Sequence, residues 1–166
     1  METKTGRLVT RAHVITVSDG VSAGTRVDAS GAAVVRLLRE AKFEVSGPQV
    51  VPDSTDRIGD AILAAVAGGA GVVVTSGGTG LGPRDVTPQA TAALVDFEVP
   101  GIGEAMRRAG AEHTPLAALS RSMAGVKDRT LILNLPGSPN GATESLEAVI
   151  PMLDHAVRLL QGDTRH

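Results

Sequence analysis

The run GVVVTSGG, residues 71 to 78, constrains the fold more than any other stretch. Val72, Val73 and Val74 leave no polar position to face water, so the segment suits a parallel strand covered by helices on both faces. RTLILNLPGSPNG, from Arg129, is a second such strand ending in a glycine and proline turn. AHVITVS, residues 12 to 18, reads as a strand that stops at Asp19-Gly20, and FEVSGPQVVPD, residues 43 to 53, as a Pro-broken extended stretch. Helical spacing fills the intervals. Val34, Leu37, Leu38 and Ala41 share a face behind Asp28 or Ser30 as N-cap, and Ile58, Ile62, Ala65 and Val66 share one behind Ser54. Pro88 opens a short helix through Val95, and Pro100 opens one that carries Ile102, Ala105, Met106 and Ala109. Leu146, Val149, Ile150, Leu153, Val157 and Leu160 line a final helix that Pro151 is expected to kink or to begin. Strands alternating with helices predict an α/β fold, a three-layer α/β/α sandwich with a mostly parallel sheet. At 166 residues the expectation is one domain, residues 1 to 166, with an ordered core from about 8 to 162.

Composition excludes several functions. A net charge of −2 supplies no global attraction for nucleic acid or anionic lipid, and two Phe with no Trp or Tyr leave almost nothing for bases to stack on. With no Cys, thiolate metal sites, disulfides and cysteine nucleophiles are impossible. The start METKTGRLVTRAHVITVSD is polar before a short, interrupted apolar run, which is not a signal peptide, and no segment is apolar for long enough to span a bilayer. The sequence therefore predicts a cytoplasmic protein with no membrane or nucleic-acid partner.

In an open parallel sheet, ligands bind beyond the carboxyl ends of the strands. The distinctive chemistry lies at such ends: Ser18 and Asp19, Asp53, the loop from Ser76 to Asp85, and Asn134 to Pro139. In Ser76-Gly77-Gly78-Thr79-Gly80, the glycines allow successive N–H groups to converge on an anion, and the hydroxyls add donors. A tight turn with no ligand accounts for the same glycines. The loop has neither the Gly-Lys-Ser/Thr of a Walker A motif nor the spacing G-x-G-x-x-G. An aspartate beside an anion loop suits a site where Mg²⁺ bridges carboxylate and phosphate, which makes Asp85 and Asp53 candidate metal ligands. Each also stands where a helix N-cap is needed. Gly20-Val21-Ser22-Ala23-Gly24 matches the nucleophile elbow G-x-S-x-G, but that motif requires a helix directly after the serine, and the helical pattern starts only near Asp28.

Read in order, VITVSDGVSAG, TSGGTGLGPRDVTPQAT, PGIGEAMR, LSRSMAGV and LILNLPGSP resemble the MogA/MoaB family of molybdenum cofactor biosynthesis proteins over nearly the whole chain. The resemblance implies a molybdopterin-binding domain that assembles as a homotrimer or a dimer of trimers. It also implies Mg²⁺-dependent transfer of AMP from ATP to the terminal phosphate of molybdopterin, with a MoeA-type insertase acting afterwards. It gives Asp53 and Asp85 the catalytic, metal-holding roles. Gly77, Gly78, Thr79 and Gly80 become the nucleotide loop; Asn134, Pro136, Gly137 and Ser138 the nucleotide and pterin-phosphate side; Ser120 and Arg121 a bordering pair. Ser18, Asp19, Ser76 and Thr87 complete the candidate binding set. No long insertion follows Pro136-Gly137, a compact form shared by members that adenylylate and members without assigned activity. The alternatives are a MoaB-type carrier or scaffold that binds molybdopterin without turnover, and a fragment of a MoeA-like or competence-damage-related protein.

Overall fold

The computed structural model describes residues 9–163; the polar N-terminal residues 1–8 lie outside the described residues, as do the last three. Strands β1 (Arg11–Val17), β2 (Glu44–Val51), β3 (Val72–Ser76), β4 (Phe97–Glu98), β5 (Ala124–Lys127) and β6 (Thr130–Leu135) form one sheet in the order β2-β1-β3-β6-β5-β4. The four strands β2, β1, β3 and β6 are parallel, and β5 and β4 extend the sheet antiparallel beyond β6. The helices are α1 (Asp19–Ser22), α2 (Ala29–Glu40), α3 (Thr55–Ala67), α4 (Thr87–Ala92), α5 (Pro100–Ala111) and α6 (Pro139–Leu160), with a 3-10 turn at Pro115–Leu119.

The apolar run of β3 is buried on both faces. Val72 and Val74 join Leu131 and Leu133 in a core closed by α2, α5 and α6, through Val34, Leu38, Met106, Leu146 and Leu153. Val73 and Ile132 point the other way, into a core with Ile58 and Ile62 of α3 and Ala90 of α4. This is the α/β three-layer arrangement expected from the pattern, and it leaves the loops after β1, β2, β3 and β6 on a common edge.

Several local expectations are corrected. Pro151 neither starts nor ends α6; it is exposed inside the helix while Leu146, Val149, Leu153 and Val157 hold the buried stripe on both sides of it. Asp28 is the N-cap of α2, accepting from the Gly31 N–H at 2.9 Å, and Ser30 is buried within the first turn. α4 ends at Ala92, short of Val95, because the chain is drawn into the sheet edge where the Asp96 N–H donates to the Val126 carbonyl at 2.7 Å. A single turn, α1, follows β1 directly. β4 and β5, two and four residues long, carry too little pattern to be read from sequence. Pro48 lies on the edge strand β2, where a missing N–H costs no ladder bond. Among the described residues no helix is long and apolar enough to cross a membrane.

Candidate functional site

A cleft of about 590 Å³ opens at the carboxyl ends of the parallel strands. Its floor is built where β3 runs out. Ser76 Oγ lies 3.0 Å from the Pro136 carbonyl, its acceptor, and 3.1 Å from Ser30 Oγ, which ties the β3 end to α2 and to the turn after β6. Gly77 follows at φ 111°, its N–H donating to the Leu135 carbonyl at 3.0 Å. A Cβ here would collide with the Val17 carbonyl oxygen, so only glycine lets β1, β3 and β6 meet this closely. Gly137 packs onto it, with its would-be Cβ 3.2 Å from Gly77 Cα.

The loop is then held from below and from the side. Thr87, fully buried at the start of α4, donates its hydroxyl to the Gly77 carbonyl at 2.9 Å and its N–H to the Gly78 carbonyl at 3.1 Å. Arg121 grips the far side: its N–H reaches the Thr79 carbonyl, Nε the Gly80 carbonyl at 2.9 Å, and Nη2 the Asp85 carbonyl at 2.7 Å. With the carbonyls turned to these anchors, the N–H groups of Gly78, Thr79 and Gly80 have no protein acceptor among the described residues. Successive open N–H groups in a fixed loop form an anion-binding concavity.

Three carboxylates line the same cleft: Asp28, the cap of α2, and Asp53 and Asp85. Neither Asp53 nor Asp85 caps a helix, since Ser54 accepts from Arg57 N–H at the start of α3, and Val86 stands at the N-cap of α4 without a side-chain cap bond. Asp85 Oδ2 accepts from the Gly82 N–H at 2.9 Å, so the side chain closes its own loop. Asp53 and Asp19 bond reciprocally, Asp19 N–H to Asp53 Oδ2 at 2.8 Å and Asp53 N–H to Asp19 Oδ1 at 3.0 Å. Arg84 forks onto Asp19, Nε to Oδ2 at 3.0 Å and Nη2 to Oδ1 at 3.1 Å. Burial pushes the Asp53 carboxyl above the usual aspartate range, and the charges of Asp19 and Asp85 add to that shift against the pull of the Asp19 N–H and of Arg84. Asp19 moves down, held first by the Asp53 N–H and then by Arg84.

These observations fit a divalent cation that arrives with its substrate. Among the described residues no group of three or more His, Asp or Glu side chains forms a closed metal site. Mg²⁺ is commonly held by one or two carboxylates plus substrate phosphates, and Asp53 and Asp85, mutually repelling beside an anion loop, have the chemistry such a donor set needs.

The structure places the remaining candidates unequally. Ser18, Ser76 to Gly80, Gly137 and Ser138 line the cleft. Asn134 does not: it is fully buried in β6, and its Nδ2 lies 3.0 Å from both Thr75 Oγ1 and Thr91 Oγ1, so it fastens β6 to β3 and α4 beneath the loop. Thr87 and Arg121 likewise act on the loop backbone. Ser120 and Pro136 face a neighbouring cleft of about 200 Å³ beside α5 and the start of α6, which shares Ser138 with the first. Sequence reasoning missed Arg26 and Val27, which line the main cleft from the segment between α1 and α2, and the position of Asp28 as cap and wall together. The one available signal was their place just after the β1 end. Ser22 is exposed at the end of α1, and His113, a candidate base for a hydrolase triad together with His155, faces Glu144.

Residues 13–155 match the family model described as a probable molybdopterin binding domain. The chain is 40% identical over 151 residues to a molybdenum cofactor biosynthesis bifunctional protein of Synechococcus elongatus, covering 91% of this chain and 47% of that protein. It thus spans about half the length of the first relatives it matches. A molybdopterin adenylyltransferase of Helicobacter pylori is 37% identical over 156 residues, 90% of this chain and 87% of that protein. Among solved structures, the molybdopterin biosynthesis enzyme MoaB of Thermus thermophilus superposes with a TM-score of 0.87 at 50% identity, covering 93% of this chain and 98% of that one.

Proposed function

The chain belongs to the MogA/MoaB family of molybdopterin-binding domains, and from that premise we propose that it transfers AMP from ATP to the terminal phosphate of molybdopterin, releasing pyrophosphate. The observation that carries this reading is the joining, in one cleft, of the open N–H groups of Gly78 to Gly80 with two carboxylates that cap no helix, Asp53 and Asp85.

The chemistry asks little covalent help of the protein. A phosphate oxygen of molybdopterin attacks the α-phosphorus of ATP, and the bond from that phosphorus to the oxygen bridging to the β-phosphate breaks. The attacking oxygen is already ionised at neutral pH, so no general base is required. The rate then depends on alignment and on charge stabilisation. The loop N–H groups hold phosphate oxygens in a fixed frame, because Thr87 and Arg121 immobilise the carbonyls behind them. Asp85 and Asp53 present oxygen ligands to Mg²⁺, which when bound would offset the charge developing on the departing pyrophosphate. Ser138 and Gly137, which line the cleft on the turn after β6, would border the phosphate of the pterin substrate.

The same reading carries a cytoplasmic homotrimer or dimer of trimers whose product is consumed by a MoeA-type molybdenum insertase. The test is direct: purified protein, molybdopterin, Mg²⁺ and ATP labelled at the α-phosphate are expected to yield labelled adenylylated pterin and an equal amount of pyrophosphate. Binding of molybdopterin with no labelled product would assign the chain to the carrier or scaffold reading.

A further inference from the structure

Arg26, Arg84 and Arg121 stand around the cleft, and two of these guanidiniums are already engaged. Arg84 is forked onto Asp19, and Arg121 is spent on the carbonyls of Gly80 and Asp85. Arg26 has neither a side-chain hydrogen bond nor an ion pair among the described residues, and it is the one Lys or Arg that lines the cleft.

Its placement follows from how the chain folds back after α1. The Gly20 carbonyl accepts from the N–H groups of Thr25 at 2.9 Å and Arg26 at 3.2 Å, and from Thr25 Oγ1 at 3.1 Å. This wraps the segment so that the Arg26 stem lies over Gly20: a Cβ on that glycine would stand 3.4 Å from Arg26 Cβ and 3.7 Å from Nε. The nearby Asp28 carboxylate accepts from Thr16 Oγ1 at 2.6 Å and Gly31 N–H at 2.9 Å and makes no ion pair with Arg26. The stem is positioned and the charged end is free.

The electrostatics call for such a group. Asp28, Asp53 and Asp85 all line the cleft, so a phosphorylated ligand enters against carboxylate charge. A guanidinium matches two phosphate oxygens at once and holds its charge at any physiological pH. We infer that Arg26 binds a phosphoryl group of a substrate and so sets the preference of the cleft for anionic ligands. The inference rests on the AMP-transfer reading and adds a binding residue to it. The phosphoryl group belongs either to the triphosphate or to the pterin phosphate.

Separate calorimetric titrations of MgATP and of molybdopterin, into the wild type, Arg26→Gln and Arg26→Ala, distinguish the two. Arg26→Gln keeps most of the stem over Gly20 and removes the charge, and both variants keep the N–H that bonds the Gly20 carbonyl, so melting temperatures near that of the wild type are expected. The inference predicts that both variants weaken one of the two ligands by about tenfold or more, and that Arg26→Lys recovers part of the loss. The ligand affected identifies the phosphate that Arg26 holds. Wild-type affinity for both ligands in Arg26→Gln would overturn the role of Arg26 and leave the AMP-transfer reading intact. A wild type that binds neither ligand would overturn both.

Discussion

Asp19 and Asp53 each donate a backbone N–H to the carboxylate of the other, at 2.8 and 3.0 Å, so two hydrogen bonds lock the ends of β1 and β2 together against the repulsion of the carboxylates. Arg84 pairs with Asp19 alone, and Asp53 faces the cleft.

The pH dependence follows from that asymmetry. Burial raises the Asp53 pKa in the folded protein, so as pH falls it takes up its proton before an ordinary aspartate does, and the acid limb of kcat/KM is expected to move up with it. Asp19→Asn keeps both backbone hydrogen bonds and removes one of the charges that raise Asp53. Its acid limb is expected to shift to lower pH. A limb that stays in place would remove Asp53 as its source.

A raised carboxyl also carries a stability consequence, with the sign opposite to that of most aspartates. The stabilising contribution of protonated Asp53 is present below its unfolded pKa and is lost as pH rises through the higher folded value. At neutral pH, Asp53→Asn is therefore expected to leave the melting temperature equal or higher and to abolish AMP transfer. Thermal melts at pH 7 beside the assay check both halves; a clear fall in melting temperature would contradict the assignment of Asp53 as a functional, desolvated charge.

Arg121 should act through Asp85 and the loop, since its guanidinium spans the Gly80 and Asp85 carbonyls. Arg121→Lys retains the charge but loses the fork. The expected result is a fall of about tenfold or more in kcat/KM for MgATP with the overall fold retained, measured by steady-state kinetics and circular dichroism. Wild-type kinetics in Arg121→Lys would show that the clamp is dispensable.

Asn134 tests the layer beneath. Asn134→Ala removes the donor shared by Thr75 and Thr91 in a fully buried site and is expected to lower stability by about 1–3 kcal/mol, read from urea unfolding. Gly77→Ala acts above it, forcing a Cβ toward the Val17 carbonyl at φ 111°, with an expected loss of more than about 1 kcal/mol. Unchanged unfolding midpoints would separate the loop from the supports assigned to it.

Much of this architecture was legible in sequence because β1, β3 and β6 are long apolar runs whose burial on both faces leaves no alternative environment. The common edge of Ser18, Asp53, Ser76 to Asp85 and Gly137-Ser138 followed from their positions after parallel strands. Asn134 was misplaced because it lies in the same LNLPGSP run as cleft residues, and side-chain direction alternates along a strand. The capping readings of Asp53 and Asp85 were equally open until Ser54 and Val86 took those positions in the structure. Arg121 and Arg26 depend on contacts across 41 residues to Gly80 and on a fold-back over Gly20, which no local spacing encodes.

The central claim is that Asp85 serves chemistry and that the cleft turns ATP over. The most direct measurement compares wild type with Asp85→Asn for transfer of label from α-phosphate-labelled ATP to molybdopterin, with molybdopterin binding measured on the same preparations. Product is expected from the wild type, and in Asp85→Asn near-complete loss of product with pterin binding retained. Equal product from both would contradict the role of Asp85, and pterin binding without product from either would contradict the transferase itself.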